Sequence, residues 1–207
     1  MKIINIFTDG SSFIKKDYYE SSSGCIIDSE SIRYLLGSYH KDGTISYGEL
    51  YGIRLALNAI YYTFGETLND YKINIFSDSE YCVKSLTEWI KNWSKFGRDC
   101  IWIKSDGKKV MYQDIMKYIY YDYIKRYDIN IYHINSHVGT KISENKASIK
   151  FLKKYPNFND GDFKLFSKEN TNVDLLADKI RSNKIKYYAD CVNKKNGCSI
   201  ILNKNIF

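Results

Sequence analysis

Four acidic residues occupy places in the sequence from which their carboxylates can converge. Asp9 and Asp78 each follow a short run of apolar, β-branched residues. Glu49 opens one amphipathic stretch, and Asp174 lies early in another. Four carboxylates in one place repel one another unless cations neutralise them, and hard oxygen ligands suit Mg²⁺ or Mn²⁺. The pattern therefore favours a metal-dependent reaction.

Each acid also has an ordinary structural interpretation. Asp9 begins an Asp-Gly pair, which is typical of a turn. Glu49 suits the first turn of a helix, where an acid interacts favourably with the helix dipole. Asp78 is typical of a helix start, and Asp174 of a solvated helix face. Taken singly, each acid fits its structural role better; taken together, in this order, they favour one shared site.

The elements that must position these acids follow from the apolar periodicity. Short runs of β-branched residues predict strands, and apolar residues three or four apart predict helices. The predicted strands are Ile3–Phe7, Gly24–Asp28, Ser31–Tyr39, Ile73–Phe76 and Ile129 to Ile134. Helices are predicted from Glu49 to Ile60, from Val83 to Trp93, over Gln113–Lys125 and from Val173 to Ile180.

This order of elements predicts an α/β fold with a mixed five-stranded sheet flanked by helices. Ligands gather outside strand ends in such sheets, which is where Asp9 and Asp78 are expected. Residues 140–169 form an unusually long insertion before the last helix, and a short helix is predicted within it at Ser143–Lys154.

The chain length of 207 residues suits one domain. We expect that domain to cover residues 1–189, with a C-terminal extension at residues 190–207. A short strand is expected in this extension, at residues 198–202.

The composition is that of a globular protein with a polyanionic partner. Hydrophobic residues make up 44% of the chain, and the formal net charge is +7. No apolar run is long enough to cross a membrane. Five cysteines are scattered without a CxxC pair, so neither a zinc knuckle nor a disulfide framework is expected. We expect an intracellular protein, cytoplasmic or in the nucleoid or nucleus, that is not secreted.

Residues 84–109, here named the handle segment, combine basic and aromatic side chains. Lysine and arginine outnumber acids in this segment, and Trp89, Trp93 and Trp102 are interleaved with them. Such a segment can neutralise nucleic-acid phosphates. The alternative is a solvated lysine-rich face whose tryptophans anchor a core helix, and we expect this to apply to at least one of Trp89 and Trp93.

Five stretches of the sequence resemble motifs of the type 1 ribonuclease H family. They are Thr8–Ser11, Gly48–Leu50, Phe76–Tyr81, Ser136–Gly139 and Asn170–Ala177. In addition, Trp89–Trp93 and the basic loop after it are similar to the substrate-gripping handle of many members. The resemblance covers most of residues 1–139 and 168–187. One such motif is weak, but five in the family's order are specific.

The resemblance implies an endoribonuclease that hydrolyses the RNA strand of RNA–DNA hybrids and leaves 5′-phosphate and 3′-hydroxyl ends. By resemblance, two divalent ions, Mg²⁺ or Mn²⁺, would be held by Asp9, Glu49, Asp78 and Asp174. One ion would activate the attacking water and the other would stabilise the leaving oxygen. His137 would be catalytic through proton transfer or product release. We expect the protein to be a monomer.

The resemblance also implies a set of substrate-binding residues. They are Ser11, Ser46, Ser79, Trp89, Lys91, Trp93, Lys95 and Asn170. Contacts to the 2′-hydroxyl would select RNA. Many bacterial members have paired asparagines where this chain has Ile45 and Ser46. His133 is expected to pack within its strand, and His40, expected in a loop, matches no motif.

Two other functions stay open. Junction resolvases and integrase-like nucleases also assemble carboxylates on this architecture, but the Gly-Glu-Leu helix directly after three strands favours a ribonuclease H. The second is a non-catalytic module that binds hybrids or duplex RNA, which the presence of all four acids disfavours. The insertion at residues 140–169 is a lid, a nucleic-acid surface or a docking site for a protein partner. Nothing resembling a polymerase precedes the domain, so we expect a free-standing enzyme.

Overall fold

A mixed sheet forms the centre of the molecule in the computed structural model, which describes residues 2–15 and 18–195. Within these ranges six strands lie in the order β5-β4-β1-β2-β3-β6. The strands are β1 (Lys2–Lys15), β2 (Tyr18–Ser29), β3 (Ile32–Lys41), β4 (Tyr71–Ser77), β5 (Ile129–His133) and β6 (Tyr188–Asn193). The pairs β1–β4 and β4–β5 are parallel, and the other pairs are antiparallel.

Helices cover both faces of this sheet. They are α1 (Ile45–Phe64), α2 (Glu80–Lys84), α3 (Ile90–Trp93), α4 (Gln113–Ile119), α5 (Glu144–Lys154) and α6 (Asp160–Ser182). One π-helical turn, Ser85–Trp89, joins α2 to α3, and another, Tyr120–Ile124, extends α4. Among the described helices, none has both the length and the apolar character needed to cross a membrane.

Two apolar clusters fill the spaces between the sheet and the helices, because successive strand side chains point to opposite faces. Ile6 lies in the cluster on the α1 face, together with side chains of α3 and α4. Its neighbour Phe7 lies in the other cluster, against the α5 and α6 residues Phe151, Phe163 and Phe166. The predicted α/β class with a mixed sheet is confirmed.

The predicted count of five strands was wrong, because β6 pairs antiparallel with β3 and extends the sheet. This strand has no apolar run that would mark it in the sequence, and Cys191 is its one fully buried side chain. Residue 189, the predicted end of the domain, lies inside β6. The strand expected at residues 198–202 lies outside the described residues.

The insertion at residues 140–169 is largely helical. Helix α5 lies where a short helix was predicted. The last helix, α6, begins at Asp160, well before its predicted start near Val173. A capping box fixes this start, because Asn159 accepts a bond from the backbone of Asp162 and the Asp162 carboxylate accepts one from the backbone of Asn159. The charged residues in the first turns of α6 hid its apolar periodicity.

Candidate active site

The parallel pairing of β1 with β4 places Asp9 beside Asp78. The last parallel pair joins Thr8 of β1 to Ser77 of β4. Asp9 directly follows Thr8, and Asp78 directly follows Ser77. Asp9 does not close its strand as expected, because β1 continues along β2 and Asp9 pairs there with Gly24. The two carboxylates are therefore brought together where the parallel pairing of β1 with β4 ends. Strand β4 ends there as well, whereas β1 continues.

Glu49 and Asp174 lie inside their helices, which corrects their predicted places at the helix starts. Helix α1 begins at Ile45, after the N-cap Thr44, so Glu49 is in its second turn. Asp174 is near the middle of α6. Glu49 is itself buried, and Asp174 is half-buried next to the buried Val173.

Two glycines allow α1 to lie directly against the sheet at Glu49. A Cβ on Gly48 would overlap the carbonyl oxygen of Ser22 on β2. A Cβ on Gly10 would stand 2.7 Å from the backbone nitrogen of Glu49. Because neither position carries a side chain, the helix approaches β1 closely enough for Glu49 to reach Asp9.

These elements bring three carboxylates together. One oxygen from each of Asp9, Glu49 and Asp78 lies within 4.8 Å of the others. Asp174 stands outside this group of three, yet its charge contributes to the raised pKa of each of them. One turn earlier on α6, the side-chain amide of Asn170 donates to Asp78 at 3.5 Å.

Burial and mutual repulsion make the charged form of this cluster costly. Burial, then the charges of Glu49 and Asp78, raise the pKa of Asp9 to about 11. Burial and the Asp78 charge likewise raise the pKa of Glu49 well above its ordinary value. The Glu49 Oε2 atom is buried and has no hydrogen-bond partner among the described residues. An unpartnered buried carboxylate oxygen in a cluster of hard donors fits a divalent cation.

His133 contacts the backbone of the cluster, whereas the sequence predicted only packing for it. Its Nε2 lies 3.2 Å from the Asp78 carbonyl oxygen. A carbonyl only accepts, so this ring nitrogen carries the hydrogen. The pairing of His133 with Ser77 in neighbouring parallel strands creates the contact, and a single sequence does not reveal that register.

Ser11 is held by α6 through two charged residues that the sequence analysis did not select. Its hydroxyl donates to the Asp178 carboxylate and accepts a bond of 2.8 Å from Nε of Arg181. Arg181 also forms an ion pair of 3.2 Å with Asp178. The spacing of Asp174, Asp178 and Arg181 on one helix face was the available sequence signal.

Ser46 and Ser79 both lie at helix starts close to the carboxylates. Ser46 is a half-buried residue in the first turn of α1. Ser79 is the N-cap of α2, and its hydroxyl accepts a bond of 3.4 Å from the backbone of Cys82. The structure therefore gives Ser79 a capping role beside Asp78.

The two histidines outside the cluster occupy different surroundings. His137 is exposed in the loop after β5 and has a φ of 52°, an uncommon conformation for a residue other than glycine. Its carbonyl accepts bonds from the backbone of Thr140 and Lys141. His40 lies within β3 rather than in a loop, and burial lowers its pKa to about 4.

The tryptophans of the handle segment divide between core and surface. Trp102 is fully buried and Trp93 is 8% exposed, with ring centroids 6.2 Å apart. Trp89 is 38% exposed on the same helical stretch. The nearby Lys91 and Lys95 side chains are also exposed. Trp93 therefore anchors the helix to the core, whereas part of the Trp89 ring lies at the surface.

Comparison with known proteins identifies the family. The family model described as RNase H matches residues 1–154. The chain belongs to the ribonuclease H family. The resemblance seen in the sequence motifs is thereby confirmed. The match includes Asp9, Glu49 and Asp78 and ends at the last residue of α5, before Asp174.

Curated relatives carry the same family name. Ribonuclease HI of Haemophilus influenzae is 32% identical over 148 residues, which cover 69% of this chain and 84% of the relative. Ribonuclease H of Tropheryma whipplei is 33% identical over 106 residues, which are 51% of this chain. The match spans 59% of the length of that second relative.

Solved structures of ribonucleases H share the fold at low sequence identity. LC9-RNase H1, described as a type 1 RNase H with the type 2 active-site motif, superposes with a TM-score of 0.60 at 12% identity, covering 98% of this chain and 78% of that one. LC11-RNase H1, isolated from compost, gives a TM-score of 0.53 at 16% identity, covering 89% of this chain and 99% of that one.

Proposed function

We propose that this ribonuclease H family member is a metal-dependent endoribonuclease that hydrolyses the RNA strand of RNA–DNA hybrids. The products are 5′-phosphate and 3′-hydroxyl ends. The observation that carries the proposal is the close grouping of the Asp9, Glu49 and Asp78 carboxylates in a chain of this family. The names of its curated relatives support the same activity.

The carboxylates are the proposed metal ligands. Asp9, Glu49, Asp78 and Asp174 would hold two divalent ions, Mg²⁺ or Mn²⁺, and the unpartnered oxygen of Glu49 supports a coordinating role. When bound, the metal supplies activation of water and stabilisation of the leaving oxygen. The burial that makes the ionised carboxylates costly also strengthens their attraction for cations.

The remaining residues of the site orient this cluster and the substrate. Asn170 donates to the Asp78 carboxylate and would help to fix its orientation. Arg181 and Asp178 hold the Ser11 hydroxyl on β1, where it would contact the RNA strand. His137, in the exposed loop after β5, would transfer a proton or assist product release.

The proposed grip on the substrate lies on both sides of the carboxylates. Ser46 and Ser79, at the starts of α1 and α2, would contact the sugar of the RNA strand, whose 2′-hydroxyl distinguishes it from DNA. The exposed Trp89, Lys91 and Lys95 would contact the DNA backbone.

Two further proposals concern the state of the protein. We propose that it acts as a monomer, since one chain supplies all four acids. We also propose an intracellular location, because the described cysteines are free thiols, as a reducing compartment keeps them.

The test is cleavage of an RNA–DNA hybrid with each strand labelled separately, in Mg²⁺, in Mn²⁺ and in EDTA. Matched RNA duplex, DNA duplex and branched DNA serve as controls. Metal-dependent loss of the hybrid's RNA strand alone is expected. Binding without cleavage in either metal would leave a non-catalytic binding module, and cutting of branched DNA would replace the proposal with a resolvase-like nuclease.

A further inference from the structure

Helix α5 of the insertion forms one wall of a cleft beside the carboxylate cluster. The opposite wall is α2, and the cleft has a volume of about 160 Å³. Phe151 and Tyr155 give it an apolar lining, and His133 lies among its lining residues. The basic side chains of the cleft are Lys84 on α2 with Lys150 and Lys154 on α5.

The sequence of α5 turns basic side chains towards this cleft. Its residues Ala147, Ser148 and Phe151 are buried against the molecule and fix the rotation of the helix. Lys150 and Lys154, one helical turn apart, consequently both line the cleft. The helix carries four lysines and one glutamate, so its exposed surface is strongly positive.

The charges in the cleft leave the two α5 lysines available. Two acids, Glu80 and Glu88, also line the cleft. Glu80 is committed to Lys84 by an ion pair of 2.7 Å. Among the described residues, Lys150 and Lys154 form no ion pair within 4.0 Å, although Lys150 is near enough to help lower the pKa of Glu80. The cleft is thus a place where an added anion would be attracted.

The cleft adjoins the active site through His133 and the start of α2. His133 lines the cleft and also contacts the carbonyl oxygen of Asp78. Helix α2 begins at Glu80, two residues after Asp78. The cleft is therefore within reach of a nucleic-acid strand that crosses the carboxylates.

We propose that the cleft between α2 and α5 binds a backbone phosphate of the cleaved RNA strand, with Lys150 and Lys154 as its cationic groups. The proposal rests on the proposed function, because only that function identifies the strand over Asp78 as the RNA strand. The insertion is then a nucleic-acid surface, one of the three interpretations that its sequence left open.

The test compares two double variants that remove the same charge from the same helix. Lys150→Gln with Lys154→Gln empties the cleft of its α5 lysines, whereas Lys146→Gln with Lys153→Gln changes lysines that do not line it. Hybrid binding is measured against salt concentration in an Asp9→Asn background, so that the RNA strand stays whole. Circular dichroism checks that each variant is folded.

The cleft variant is expected to bind about three- to tenfold more weakly, and its slope of log K against log salt should be shallower by about 1, because one phosphate contact contributes about 0.9. The control variant should change both quantities much less. Methylphosphonate at one RNA position should weaken wild-type binding but add nothing to the cleft variant.

Several results would overturn the proposal. Equal losses of hybrid affinity in both double variants would show that net charge alone causes the effect. Unchanged hybrid affinity in the cleft variant would show that the cleft does not bind the substrate. If instead a methylphosphonate in the DNA strand weakened binding of the wild-type protein but not of the cleft variant, the cleft would bind the DNA strand and the proposal would be wrong. If the wild-type protein neither bound nor cut hybrids, the proposed function and this inference would both be wrong. If the wild-type protein cut hybrids normally and the cleft variant bound them equally well, only this inference would be wrong.

Discussion

Asp9 carries much of the free-energy cost of assembling the carboxylate cluster. Its pKa is raised to about 11 in the folded protein, first by burial and then by Glu49 and Asp78. In the unfolded chain its pKa returns to the ordinary value of 3.8. Above about pH 4 the folded state therefore binds more protons than the unfolded state, and its stability falls as the pH rises.

The metal-free protein is accordingly expected to lose stability steadily from pH 5 to pH 9. Thermal unfolding in EDTA at several pH values would measure this loss. Excess Mg²⁺ should reverse the trend, because the ion binds the ionised carboxylates of the folded state. A stability in EDTA that rises over this range would contradict the raised pKa of Asp9.

The substitution Asp9→Asn separates this cost from the catalytic role. It should abolish RNA cleavage and leave hybrid binding largely intact. In EDTA it should also raise Tm by about 2–4 °C for each 1 kcal/mol of relieved repulsion, and flatten the pH dependence. Asp106→Asn, at an exposed acid of the handle segment, is the control and should change neither the rate of RNA cleavage nor the Tm in EDTA. If Asp9→Asn cut RNA at the normal rate, the assignment of the cluster would be wrong.

At the scale of elements, the helical stretch from α2 to α3 carries two tryptophans with different expected roles: Trp93 in core packing and Trp89 in hybrid binding. Trp93→Ala is expected to destabilise the protein by about 3–5 kcal/mol, because it leaves a cavity beside Trp102. Trp89→Ala should cost little stability, since its ring is partly exposed, but should weaken hybrid binding. Urea denaturation and binding measured on both variants test the division. Equal stability losses would show that Trp89 is also a core residue.

The sequence identified residue types more reliably than the limits of their elements. The four acids were found because their motifs are local and each lies within a few residues of an apolar pattern. Asp9 was nevertheless placed at a strand end, since the polar run after it hid the continuation of β1 beside β2. Arg181 was missed because its partner, Ser11, is remote in sequence and adjacent only in the fold.

At the scale of the whole molecule, β6 makes the C-terminal part of the described chain a component of the sheet. We propose that the folded unit extends through this strand, beyond the boundary expected at residue 189. Cys191→Asp should destabilise the protein by about 3 kcal/mol or more, because it buries a charge without a partner. Ala189→Asp, at an exposed position of the same strand, should cost far less. Similar Tm values for the two variants would place β6 outside the cooperative unit.

The position of α6 in the chain has a consequence for synthesis of the protein. This helix packs against β1 and β2, and it supplies Asp174 and Asn170 to a site whose other acids come from residues 9–78. Synthesis of the polypeptide must therefore pass residue 174 before the last carboxylate is available. A polypeptide whose synthesis stops before α6, for example at a premature stop codon, is expected to have no nuclease activity.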